Sequence, residues 1–211
     1  MNYLIAHKIN HFPYLHSTPR KKSIKHKLIY VQQGVICVRL GKEEYVFEQG
    51  QALWLPFECL SAVTYFPNTT SLEVEVSCRS TNVYSYQAGE VELSELLSAL
   101  LKSLANTTFD SADLEQKSWL KVVNFELTKL SPLLSSEMKT ITNIKNLDIK
   151  SLDNKGGSHI DYAELHMALK VRDALKARSS GMKTKNIVES VFNGNHELAQ
   201  QLCQAIANQA L

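Results

Sequence analysis

Between His26 and Cys78 the chain alternates short apolar runs with turn residues. The runs are 27–33, 35–40, 43–48, 52–55, 60–66 and 71–77, each rich in β-branched and aromatic residues. Gly34, Gly41-Lys42, Gly50, Pro56 and Pro67-Asn68 separate them. Leu72-Glu73-Val74-Glu75-Val76 and Val38-Arg39-Leu40 have the period of two that puts one face of a strand inward. Strands spaced roughly 8 to 12 residues apart predict an antiparallel sandwich or small barrel. A possible strand opens the chain within the arm 1–25.

Beyond residue 90 the period changes. Leu93, Leu96, Leu97, Leu100, Leu101 and Leu104 fall on one helical stripe. A second helix, capped by Asp110 or Ser111, follows through Leu114, Trp119, Leu120, Val123, Leu127 and Leu130 until Pro132. These stripes cover the barrel or meet a second subunit. From 133 to 160 Asn, Asp and Gly dominate, which reads as a linker with one short helix at 137–143. A long helix from Asp161 to Arg178 ends at Ser180-Gly181. Thr184 is expected to cap a short helix with Ile187, Val188, Val191 and Phe192. Asn193-Gly194-Asn195 then turns the chain into a final helix carrying Leu198, Leu202, Ala205 and Ile206. Helix, tight turn, helix is the outline of a helix-turn-helix.

The expected organisation is α+β: an antiparallel β-barrel over 1–89, helices over 90–132, a linker over 133–160 and a helix-turn-helix-like region over 161–211. A formal net charge of +2 neither requires nor excludes a polyanionic partner, so the distribution of charge decides. The run Pro19 to Lys27 holds five Lys or Arg; it contacts phosphates or is a solvated entry to the first strong strand. The four cysteines form no C-x-x-C pair, and no apolar run approaches a membrane span, so a reduced, cytoplasmic protein is expected.

Candidate chemistry is sparse. The seven histidines form neither H-x-H nor H-E-x-x-H, and the 34–50 hairpin has none, so no metal or other cofactor is expected. There is no G-x-S-x-G, P-loop or G-x-G-x-x-G, and no enzyme is expected. Glu43-Glu44 and Glu73/Glu75 read as solvated strand faces. Tyr30, Trp54 and Tyr65 are candidates to line a barrel interior, either filled or open to one small ligand. His26 is a candidate hydrogen-bonding partner for that ligand or a structural residue at the rim.

The run His26-Lys27-Leu28-Ile29-Tyr30-Val31-Gln32-Gln33-Gly34, with Gly50-Gln51-Ala52-Leu53-Trp54-Leu55-Pro56, resembles the N-terminal cupin-like domain of AraC/XylS-type transcriptional regulators. In that family an H-x-L-I-x-V-x-x-G strand and a G-x-A-x-x-I/L-P strand recur. Residues 162–202 resemble the connecting helix and second helix-turn-helix of the same family, through Leu169, Val171, Ala174-Leu175, Ile187-Val188, Phe192, Leu198 and Leu202. The resemblance implies a cupin-like barrel that binds a small effector through His26, Tyr30, Trp54 and Tyr65, and a homodimer formed through the helices of 90–132, which resemble the family's dimerisation helices. It also implies DNA contacts through Lys183, Lys185, Asn193, Asn195, His196 and Gln200. The chain departs from the family in lacking the Gly before Phe192, a regular first helix-turn-helix, and any Lys or Arg between His196 and Gln209. The alternative is a cupin-like effector-binding or dimerisation protein without DNA recognition.

Overall fold

A computed structural model describes residues 4–108, 114–135, 137–146 and 162–211. The alternating segment folds into two antiparallel sheets. The first, sheet A, has the order β1-β9-β4-β7-β10, from β1 (Ile5–Phe12), β4 (Lys25–Gln33), β7 (Ala52–Leu55), β9 (Thr69–Ser77) and β10 (Gly89–Val91). Sheet B has the order β2-β8-β5-β6, from β2 (His16–Ser17), β5 (Val35–Leu40), β6 (Glu43–Glu48) and β8 (Leu60–Tyr65). The short β3 (Lys21–Lys22) also pairs with β8.

The helices are α1 (Glu95–Asn106), α2 (Leu114–Leu127), α3 (Ile141–Asn146), α4 (Tyr162–Ser179), α5 (Thr184–Phe192) and α6 (His196–Ala207). The expected cap of the second helix at Asp110 or Ser111 lies outside the described residues, as does Asp161. Ser94 caps α1 by accepting the Leu97 N–H at 3.1 Å.

Four layers result, because each sheet has a helical cover on its outer face. Leu97, Leu101 and Leu104 of α1 and Leu120, Val123 and Leu127 of α2 pack on Leu28, Trp54, Leu72, Val74 and Val76 of sheet A. The leucine stripes therefore cover the barrel, while Leu96, Val122 and Phe125 stay exposed. Between the sheets lie Ile29, Val31, Ile36, Val38, Phe47, Leu53, Leu55 and Val63. On the outer face of sheet B, Cys37, Val46 and Phe66 join one apolar cluster with Leu165, Leu169, Ile187, Phe192 and Cys203 of the C-terminal helices.

The described part of the expected linker is bonded to the barrel. Leu133 bridges to Glu90, Thr140 bridges to Tyr45, and Met138 is buried with the residues between the sheets. The short helix is α3, four residues later than its composition predicts.

Candidate functional site

Two places gather polar side chains in an arrangement the fold itself does not require. The first is the corner of α5 and α6. Gly181, with φ of +89°, ends α4, and the Met182 N–H returns to the Ala177 carbonyl at 3.1 Å. Lys183, rather than the expected Thr184, is the N-cap of α5, and its side chain makes no capping hydrogen bond. Asn193 closes α5 in the left-handed region, and Gly194 follows at φ of +82°. Asn195 then caps α6, its side-chain oxygen accepting the Leu198 N–H at 2.9 Å.

The buried side of α6 differs from the expected one. Ala199, Cys203 and Ala207 form it, while Leu198 is 43% exposed and Leu202 only half-buried. Small side chains let α6 approach α4 and α5 closely, so the larger leucines are displaced to the flank. On α4, Met167 is likewise exposed, and Arg172 lies in the buried face that meets the barrel. The Arg172 guanidinium donates to Glu44 Oε2 at 2.7 Å, and the Cys37 thiol donates to the same oxygen at 3.8 Å. Burial and the Glu44 charge push the Cys37 thiol's pKa up.

Lys183, Lys185, Asn193, Asn195, His196 and Gln200 are all exposed. They occupy the start of α5, the turn and the first half of α6. The opposite end of α6 is held against the barrel, where the Leu15 N–H donates to the Ile206 carbonyl at 2.8 Å. The leading end of α6 is thus free while its trailing end is docked. Glu197, Gln200, Gln201 and Gln204 make its exposed surface largely amide in character.

The second place lies between the sheets. Glu73 on β9 is 2% exposed and points inward. Lys27 Nζ lies 2.9 Å from its Oε2, Lys8 Nζ 3.3 Å from the same oxygen, and the Tyr65 hydroxyl donates to Oε1 at 2.5 Å from across the barrel. Glu75 takes Lys25 at 2.8 Å and Lys27 at 3.4 Å. Burial alone would raise the Glu73 pKa; the Lys27 ammonium, the Tyr65 hydroxyl and Lys8 outweigh it and hold the carboxyl below its ordinary range. Burial works against the Lys27 ammonium too, yet Glu73 and Glu75 raise its pKa above the usual value.

Next to this cluster on the same wall, Asn10 of β1 registers with Ser71 of β9. Asn10 Nδ2 and Ser71 Oγ are buried without a hydrogen-bond partner among the described residues. Phe12, two residues on, stacks on Tyr65 at 4.0 Å.

Of the four residues expected to hold an effector, Tyr65 alone faces this interior. Tyr30 and Trp54 lie on the outer face of sheet A, beneath α1 and α2. Trp54 donates its indole N–H to the Ser85 carbonyl at 2.9 Å. His26 stacks on Trp54 at 5.6 Å, and its Nδ1 accepts the Phe57 N–H at 3.2 Å. Burial lowers the His26 pKa, favouring the neutral ring this bond requires. Glu73 and Glu75 are not on a solvated face, contrary to expectation. The apolar members of their strand face the helices, so the acidic members face in. The signal was the matching period of Lys25-His26-Lys27, whose cations fall on the same inner side.

The class these features define is an antiparallel two-sheet barrel joined to a helical unit of helix-turn-helix outline. No protein-family model matches the chain, and no curated protein matches it. Among solved structures, ToxT from Vibrio cholerae is similar over 99% of this chain and 96% of its own, at 10% identity and a TM-score of 0.41. A second ToxT structure, from Vibrio cholerae O395, matches over 98% and 95% at 10% identity and a TM-score of 0.42. A cupin superfamily protein from Desulfitobacterium hafniense is similar over 36% of this chain and 71% of its own, at 12% identity and a TM-score of 0.34. These are likenesses of outline and do not extend to the residues of a site. No described helix is long and apolar enough to cross a membrane.

Proposed function

We propose that this chain is a transcriptional regulator of the AraC type, reading DNA with the α5–α6 corner and taking a small effector between its sheets. The observation that carries the reading is the asymmetry of α6. Its trailing half is docked on the barrel through Ile206, while its capped leading end, with His196, Gln200 and the Asn193-Gly194-Asn195 turn, is exposed. A helix presented by its N-terminal residues suits the major groove. Lys183 and Lys185 neutralise phosphates, while Gln200 and the turn amides contact base edges.

The effector reading rests on Asn10 and Ser71. A buried amide N–H and hydroxyl without partners favour a ligand that offers a hydrogen-bond acceptor. Lys8 and Tyr65 flank that point, and apolar residues line the remainder of the interior.

Selection of duplexes from a random pool by the full chain tests the DNA role. Enrichment of a defined sequence is expected, with Gln200→Ala relaxing the preference at one position and Lys183→Gln weakening all sequences alike. Failure to enrich any duplex at about 50 mM salt would refute it.

A second reading is favoured by the absence of Lys and Arg from α6 and by Glu197 in its first turn, both unfavourable to phosphates. On that reading the chain binds effector and pairs with another regulator, which would co-purify with it while no duplex is enriched. The exposed Leu96, Val122 and Phe125 would then be the pairing surface, as they would be for a homodimer.

A further inference from the structure

The barrel carries its own collection of cations at the corner where β5 turns into β6. Lys21 and Lys22 register against Ser61 and Leu60 at the start of β8. Across β8, Ala62 registers with Arg39 of β5. The Arg20 guanidinium donates to the Gly41 carbonyl at 3.1 Å, which places it beside Lys42. Two separate segments thus bring Arg20, Lys21, Lys22, Arg39 and Lys42 to one corner of sheet B, Lys22 on the face of Arg39 and Lys21 on the other, and all five are exposed.

The tract continues onto the helices. Leu165 and Ala168 near the start of α4 lie by Gly34 and Val35, and Arg172 reaches Glu44. The helix therefore runs along sheet B toward the β5–β6 turn. Lys176, one turn past Arg172, is close enough to Arg39 to be affected by its charge. Four residues after α4, Lys183 and Lys185 open α5.

These cations differ from those inside the barrel. Lys8, Lys25 and Lys27 are paired with Glu73 and Glu75, whereas Lys21, Lys22, Arg39, Lys42, Lys183 and Lys185 have no ion-pair partner among the described residues. The acids nearby are Glu43, Glu44, Glu58 and Asp173, fewer than the cations; Glu44, opposite Arg39, and Asp173 are both taken by the buried Arg172, and Glu43 accepts from Thr142 at 3.3 Å. Like charges drawn together from distant parts of a chain repel one another. A polyanion removes that repulsion. Continuity with the α5–α6 corner favours the DNA backbone as this polyanion.

We propose that the barrel itself grips DNA, with the Arg20–Lys22, Arg39 and Lys42 corner holding phosphates that flank the stretch read by α5 and α6. This rests on the DNA-binding reading above. The test measures binding of the full chain to a labelled mixed-sequence duplex of about 40 base pairs, at salt between about 50 and 200 mM. Lys21→Gln/Lys22→Gln/Lys42→Gln is compared with Lys183→Gln/Lys185→Gln; all five side chains are exposed, and a thermal melt confirms folding. Each phosphate contact contributes about 0.9 to the slope of log K against log salt, so the barrel variant should lower the slope by about 2–3.

A wild-type slope and affinity in the barrel variant, with weakened binding in the helix variant, would overturn the proposal and leave the DNA-binding reading standing. No binding by the wild-type chain would remove both. Ile24 and Leu60 are exposed beside Lys22, so vesicles of phosphatidylglycerol are the necessary comparison. Lysine-dependent binding to vesicles with an unchanged DNA slope would assign the corner to a lipid surface and overturn the proposal.

Discussion

Glu73→Gln is the sharpest test of the ionic cluster between the sheets. Glutamine keeps the shape of the side chain and can still accept from Tyr65, so the change removes charge and little else. Taking one partner from a buried ion pair costs about 3–5 kcal/mol. Two features reduce that figure here. Lys27 keeps Glu75 at 3.4 Å, and the Lys8 side chain is 52% exposed, so its pairing with Glu73 adds little. The expected loss is about 2–3 kcal/mol, which in a chain of this length lowers Tm by roughly 4–12 °C.

Urea unfolding at a series of pH values, followed by circular dichroism, supplies the measurement. The folded Glu73 pKa lies below its unfolded value, so the stability it contributes is present above the ordinary carboxylate range and disappears as pH falls through the folded value. Wild type and Glu73→Gln should therefore differ fully at neutral pH, and the difference should shrink progressively as pH falls below the ordinary carboxylate range. A difference under about 0.5 kcal/mol at neutral pH, or one that persists undiminished in acid, would refute the reasoning.

Arg172→Met should cost about 3 kcal/mol, because Glu44 is left desolvated, and hydrogen exchange should show α4 loosening from sheet B before the barrel opens. Gly34→Ala should cost about 2–3 kcal/mol by denaturant melt, since a Cβ at φ of +80° would meet Thr69 Cα at 2.9 Å. Gly50→Ala is its control: φ is +88° but nothing lies within 4 Å, so about 1 kcal/mol is expected. Asn195→Ala should destabilise by about 1 kcal/mol through the lost cap on α6, read from the same melt.

Local pattern made most of the elements legible. The runs at 35–40, 43–48 and 52–55 became β5, β6 and β7 without change, because each is bounded by a glycine or proline that ends pairing. The very short β2, β3 and β10 carry too few residues to show a period, and they exist through their partners in β7 and β8. The site was harder to read. Alternation in β4, β7 and β9 divides residues between two faces but does not say which face looks inward. With helices over sheet A, the apolar set of β9 turned outward and carried Tyr30 and Trp54 of the neighbouring strands with it. The inner set was then the charged one. Asn10 carries no sequence signal for a related reason: β1 runs along the sheet edge with half-buried positions, and only its register with β9 places that amide opposite Ser71.

The apolar cluster shared by sheet B and the three C-terminal helices bears on how this chain can be divided. Leu15, Cys37, Val46 and Phe66 contribute to it from one side and Leu165, Ile187 and Cys203 from the other. A fragment ending before Tyr162 would leave that barrel wall wet, and an isolated tail would lose the surface its hydrophobic side chains lean on. Cutting the protein between its barrel and its C-terminal helices would therefore yield two sticky pieces. Substitutions within the intact chain are the sounder route to separating the roles of its parts.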